Sequence, residues 1–302
     1  MKPENNLIRI EEIGLALQEE EAVLLGKIAR ILGLEKEEIL DFSIVKKAVD
    51  SRDKKNILIV YSVDVRIEDP EKYFLEKAKS NVKKIKRHRV RLQAPYVYEI
   101  QKVSSDKDKK RPVIVGTGPS GLFAGLVLAC AGMKPILVER GRQVEERVKD
   151  VENFFATGKL DTKSNIQFGE GGAGTFSDGK LHTVVDDPRK KFIFEELAEA
   201  GADPKILIDA QPHIGTDRLR EVVKNIRQKI IQLGGEVRFE TCLTDIEVRD
   251  GKVAAGIFNG EEKIVIDELI LAIGHSARDT YQMLYEKELE MKAKPFSMGV
   301  RI

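Results

Sequence analysis

Residues 113–139 read VIVGTGPSGLFAGLVLACAGMKPILVE, and three glycines and one acid in this stretch stand where dinucleotide chemistry needs them. Pro112 to Val115 form a short β-rich run, after which Gly116 allows a tight turn. Gly118 leaves room for backbone to approach a pyrophosphate, and Gly121 lets helix and strand close on one another. Pro119 and Ser120 open the helix, whose unpaired N–H groups and positive dipole end would hold two phosphate charges without a lysine. Glu139 comes about twenty residues after the second glycine, at the tip of the second strand, where a carboxylate accepts both ribose hydroxyls and repels a 2′-phosphate. Arg140 would favour a phosphorylated ribose, but the acid at the strand tip decides, so the pattern predicts FAD or NAD. Gly125, Ala129 and Gly132 are expected on the helix face that presses against the sheet.

The elements that position such a site need room, and 302 residues allow two domains with proper cores. The composition, 42% hydrophobic and 33% charged, is that of a globular chain rather than a disordered one. A net charge of +1 gives no overall attraction to nucleic acid or anionic membrane. The N-terminus MKPENNLIRIEE lacks the apolar core of a signal peptide, so a cytoplasmic protein without a membrane partner is expected. Cys130 and Cys242 lie far apart and outside any CxxC spacing, which removes a disulfide framework and a redox dithiol; Cys130 is expected in the core. His88, His182, His213 and His275 are scattered singly, so no metal site is predicted.

Residues 1–103 predict a small α+β domain: a strand from Leu7, a helix over 19–32, strands near 39–49 and 56–67, a helix after Pro70, and a last strand holding Val90 and Leu92. Ile57, Ile59, Tyr61, Val63, Val65 and Ile67 alternate strictly. The order βαββαβ is ferredoxin-like, an antiparallel sheet backed by two helices. Between Lys77 and Arg91 stand eight lysines or arginines and no acid, either a phosphate-reading surface or the solvated face of a helix end and an edge strand. Residues 104–111, polar and aperiodic, read as a linker into a domain over 112–302.

After Glu139 the parallel fold is interrupted by an insertion of about 141–212. It resumes at Gly215 with a helix to Leu233 and a strand over 236–239. A meander follows, with strands over 243–248, 253–258 and 263–266 joined at Asp250-Gly251 and Asn259-Gly260. An apolar strand over 268–273 then ends in Gly274-His275-Ser276.

Five ordered stretches, VGTGPSGLFAGL, ERG, FGEGGAGTFSDGKL, GTDRL and ELILAIGHSARDT, resemble FAD-dependent oxidoreductases of the glutathione-reductase type. The resemblance is closest to a large bacterial and archaeal group of FAD-dependent dehydrogenases. It implies an α/β fold: a Rossmann-like FAD/NAD(P)-binding domain with a β-meander and an inserted cap region, preceded by the ferredoxin-like domain. It implies that Gly116, Gly118, Pro119, Ser120 and Gly121 surround the pyrophosphate and that Glu139 and Arg140 meet the adenosine ribose. Leu243 is implied at the adenine edge, Gly274 close to the cofactor, and the loop Gly169 to Gly174, with Ser177, Asp178 and Lys180, over the middle or the ring end of FAD. Members of the group continue past the point equivalent to FSMGVRI with a segment that binds the ribityl chain. The chain therefore reads as truncated at its C-terminus, with weak cofactor retention expected.

The leading expectation is a flavoenzyme that passes hydride or electrons between a reductant, NAD(P)H among them, and a small-molecule substrate or electron acceptor. One alternative is an RNA-associated flavoprotein that uses the basic N-terminal domain; another is an NAD-binding dehydrogenase without flavin. No catalytic acid or base is assigned, and His182, His275, Asp178 and Lys180 are the polar residues to mutate first.

Overall fold

The structure is a computed structural model, and it describes residues 7–76, 87–103, 110–177, 179–181 and 187–295. By contacts the chain divides into two compact units, Met1–Glu99 with Asp178–Arg218 and Ile100–Ser177 with Leu219–Ile302.

In the first unit, β1 (Leu7–Ala16), β2 (Asp41–Asp50), β3 (Leu58–Arg66) and β4 (Arg91–Gln93) form an antiparallel sheet in the order β2-β3-β1-β4. Helices α1 (Leu24–Leu32) and α2 (Pro70–Glu76) complete the βαββαβ order expected from the alternation. The buried apolar residues of β1 fall at 8, 10, 13 and 15, a spacing that breaks strict alternation; a bulge between Ile10 and Ile13 restores it, so these four point into the core. Ile28 and Leu32 of α1 join Tyr61, Val63 and Val65 of β3 there. Strand β2 is an edge, but not a bare one: the Lys47 N–H donates to the Ile208 carbonyl at 2.7 Å and the Ala210 N–H to the Lys47 carbonyl at 2.9 Å. Most of the basic run, residues 77–86, lies outside the described residues. Of the remainder, Arg91 pairs with Glu11 at 2.6 Å and Arg89 approaches Glu11 and Glu12 at 3.9 and 3.7 Å.

The second unit holds a parallel sheet in the order β11-β5-β6-β7, from β5 (Val113–Val115), β6 (Ile136–Val138), β7 (Glu236–Arg238) and β11 (Leu269–Leu271). An antiparallel meander, β8 (Leu243–Arg249), β9 (Lys252–Phe258) and β10 (Glu262–Val265), covers one face. Both meander turns have positive φ at their two central residues, Asp250-Gly251 and Asn259-Gly260, the geometry that suits a two-residue hairpin. Val113, Val115, Ile136 and Val138 pack against Leu243, Ile246, Phe258 and Ile266 of the meander side. On the opposite face α3 (Pro119–Cys130) lies on Leu137, so close at Gly125 that a Cβ there would stand 2.7 Å from the leucine. The rest of the unit includes α4 (Val144–Thr157), most of α6 (Thr216–Gln232) and α7 (Arg278–Glu286); α5 (Lys190–Glu199) belongs to the first unit.

Two expectations for α3 need correction. Gly132 does not press on the sheet: it lies beyond the helix end, exposed, with φ +87°. There the Gly132 N–H bonds the Ala129 carbonyl and the Met133 N–H the Leu128 carbonyl, a Schellman cap that needs a left-handed residue. Cys130, the last residue of the helix, is half-buried rather than in the core, because the helix rotates it off the sheet-facing stripe of Leu122, Leu126 and Ala129. Of the residues assigned to a linker, 104–109 lie outside the described ones. Lys110 donates its N–H to Asp267 at 2.9 Å and Arg111 pairs with Glu236 at 2.8 Å, so both are fastened to the second unit. Among the described residues no helix is long and apolar enough to cross a membrane.

Candidate functional site: a cavity at the first strand-to-helix crossover

Strand β5 ends at Val115, and the turn into α3 is made by Gly116 with φ +100°. A Cβ on Gly116 would stand 2.4 Å from the Ala272 carbonyl oxygen, and one on Gly121 would overlap the Gly116 carbonyl, so β5, α3 and the end of β11 meet with backbone alone. Gly118 is the N-cap of α3 and Pro119 its first residue, with no side-chain cap. The N–H groups of Ser120 and Gly121 have no partner within the helix and lie at the positive end of its dipole.

This helix start forms one wall of a cavity of about 390 Å³, within the usual roughly 300–1,000 Å³ of ligand pockets. Of the residues expected around a nucleotide, Gly116, Gly118, Pro119, Ser120, Glu139, Arg140, Leu243 and Gly274 all line it. Gly121 lies behind the wall, in the close contact just described. Gly174 is not on the lining; it is exposed within a 3-10 turn over Gly172–Phe176, and the glycine loop reaches the cavity through Gly169, Gly172 and Ala173 instead. What faces Gly118 across the crossover is the Cα of Gly172, not a side chain.

Glu139 and Arg140 make contacts that their expected ribose role does not include. The Glu139 carboxylate, 5% exposed, accepts from the Thr117 N–H at 2.9 Å and hydroxyl at 3.0 Å on one oxygen. Its other oxygen accepts from the Gly141 and Gly169 N–H groups, each at 3.0 Å. It therefore ties three loops together while still facing the cavity. Arg140 forms a bidentate pair with Asp279 of α7, both contacts at 3.0 Å, donates to the Thr280 hydroxyl at 3.0 Å, and lies over the Phe168 ring at 4.5 Å. Partial burial would raise the Asp279 carboxyl, yet the bonds from Arg140 and from backbone hold it below its ordinary value.

Of the polar residues singled out for mutation, His275 lines the cavity, and its ring nitrogen lies 3.3 Å from the Ser276 hydroxyl. Lys180 bridges to His213 in the first unit and is not on the lining. Asp178 and His182 lie outside the described residues. Cys242 also lines the cavity; its half-buried thiol is pushed up by burial, which keeps it protonated.

Reading along the chain missed the group that shapes the glycine loop. Arg147 of α4, wholly buried, donates to the carbonyls of Asn165, Ile166, Gly169, Glu170 and Gly172 at 2.6 to 3.3 Å. Burial lowers its guanidinium to about 10, so it stays charged at neutral pH. Glu170, also wholly buried, accepts the Val144 N–H at 2.8 Å, and its second oxygen sits 3.4 Å from Arg227 of α6. Burial raises its carboxyl to about 7 against that cation. An arginine in a charged amphipathic helix and a glutamate in a glycine loop carry no signal of burial until the two close on one another.

The start of α3, the Glu139 carboxylate and the start of β8 at Leu243 thus all open on one cavity. No cluster of metal-ligating side chains occurs among the described residues.

Comparison with known proteins adds sequence relatives and distant structures. Residues 7–66 match a family described as a domain of unknown function, DUF8436. An uncharacterised protein of Clostridium beijerinckii is 45% identical over 297 residues, which cover 98% of this chain and 54% of that protein. The chain thus spans about half the length of that relative. Among solved structures, THI4 of Thermovibrio ammonificans has a TM-score of 0.40 at 21% identity, covering 60% of this chain and 64% of its own. Thioredoxin reductase of Lactococcus lactis scores 0.30 at 16% identity, covering 54% and 35%. Likenesses of this size assign neither ligand nor reaction.

Proposed function

We propose that the second unit binds the ADP part of a dinucleotide, FAD foremost, and that the chain is the nucleotide-binding portion of a flavin-dependent oxidoreductase. One observation carries this reading: the uncapped start of α3 and the acid-tipped end of β6 open on the same cavity, with the Cα atoms of Gly118 and Gly172 facing one another between the helix start and the loop. The amides of Ser120 and Gly121 would hold the pyrophosphate. Glu139 would meet the ribose and Leu243 the adenine edge. Gly274 and His275 lie on the lining at the end of β11, where the remainder of the cofactor would pass.

A bound flavin supplies hydride and electron transfer, which no side chain here can perform. This chain's residues contribute binding and orientation: Arg147 holds the glycine loop in shape, Glu139 anchors that loop to the turn after β5, and the meander closes one side against water. The order in which each oxygen of Glu139 already accepts two bonds means that a ribose hydroxyl shares the carboxylate with backbone donors rather than replacing them.

The test is to purify the protein, record its visible spectrum, release any cofactor by denaturation, and titrate the stripped protein with FAD, ADP and NAD by calorimetry. Binding of both FAD and ADP, with loss of both in Gly118→Leu, is the expected result. A folded protein that binds neither rules the site out; binding of NAD and ADP without FAD favours a dehydrogenase that lacks flavin.

A further inference from the structure

Among the described residues Arg140 is the only lysine or arginine on the cavity lining, and its charge is already committed. Asp279 receives both of its terminal nitrogens at 3.0 Å, while Thr280 and the Phe168 ring hold the guanidinium in place independently of that acid. The cavity lining at the tip of β6 therefore carries Glu139 and an Arg140 whose charge is met by Asp279 just behind the lining, a net negative set. We propose that Asp279 of α7 is a specificity residue: by neutralising Arg140 it makes this end accept a ribose with free hydroxyls and reject one bearing a 2′-phosphate. The inference rests on the ADP-binding reading above.

The physical reason is a balance of charges within a few ångströms. A lone Arg140 beside Glu139 would leave the region neutral, and arginine is the side chain best shaped to grip a phosphate bidentately. With Asp279 in place that grip is taken from behind the lining, and an incoming phosphate dianion meets the Glu139 carboxylate with the charge of Arg140 already balanced. Asp279→Asn removes the charge but keeps an oxygen that accepts from Arg140. The Asp279 side chain is 60% exposed, so the substitution leaves the fold intact.

The experiment compares adenosine 5′-diphosphate with adenosine 2′,5′-bisphosphate by calorimetry, at low and at moderate salt, in four proteins: wild type, Asp279→Asn, Arg140→Gln and the double variant. Wild type is expected to prefer the unphosphorylated ribose by about tenfold or more, and Asp279→Asn to shrink that preference by about fivefold, less so as salt rises. In the Arg140→Gln background, Asp279→Asn should leave the ratio almost unchanged, because the acid acts through the arginine. A wild type that binds both ligands equally, or an Asp279→Asn ratio equal to that of wild type, overturns the inference while leaving the ADP site standing. Failure of wild type to bind either ligand removes the ADP site and this inference with it.

Discussion

Glu170 places a carboxyl that titrates near neutrality inside the second unit. Its native value is raised from 4.5 to about 7, so between those values the folded protein holds a proton that the unfolded chain releases. Stability contributed at this group is therefore greatest at acid pH and falls as pH rises through that window, by up to about 1.4 kcal/mol per pH unit. Urea midpoints measured from about pH 5 to about pH 8 should decline in wild type and decline less in Glu170→Gln, whose amide oxygen still accepts the Val144 N–H. Equal declines in the two proteins would assign the titration to another group. Arg147 is the stronger case at the same scale. Arg147→Met keeps the volume but leaves as many as five loop carbonyls without their donor, and should cost about 3 kcal/mol or more, read as a lower urea midpoint at unchanged m.

At the scale of elements, the junction of β5, α3 and β11 tolerates no added atom at Gly121. Its Cβ would overlap the Gly116 carbonyl, backbone rather than a flexible side chain, so Gly121→Ala must push the helix off the strand. The expected outcome is a loss of about 2 kcal/mol or more together with loss of ADP binding, checked by chemical denaturation and calorimetry. Ser120→Ala, which retains the backbone amide, should bind ADP nearly as wild type does. The basic run after α2 carries the other element-scale test. Its described arginines 89 and 91 face acids of β1. Filter binding to bulk tRNA is expected to be weak and nearly independent of salt; tight binding with a steep salt slope would favour the RNA reading instead.

At the scale of the whole molecule, the first unit is discontinuous in sequence, with residues 178–218 joining 1–99. Because Ile208 and Ala210 cover the backbone of β2 at Lys47, a fragment of residues 1–99 alone would bare that edge. It should self-associate at concentrations where the intact chain does not, as judged by light scattering during size-exclusion chromatography; a monodisperse fragment would show that the covering is dispensable.

Much of this architecture was legible along the chain because it is encoded by near neighbours. Alternation over 57–67 specified β3, Asp-Gly and Asn-Gly specified the two hairpin turns, and the glycine spacing with its terminal acid specified the β5-α3-β6 unit. The bulge in β1, the cap at Gly132 and the half-exposure of Cys130 were not, since each depends on where an element stops or shifts register by one residue.

The sequence by itself determined where backbone stands bare at the start of α3, because a missing Cβ and a free helix start are local properties. Only the tertiary structure decided what the charged side chains do. Glu139 reaches Gly169 across 30 residues, Arg147 reaches the loop around 165–172, and Arg140 reaches Asp279 across 139 residues. Pairings of that span leave no periodic trace in the chain; where the groups are buried, as Glu139 and Arg147 are, desolvation makes a partner necessary wherever the fold has put one.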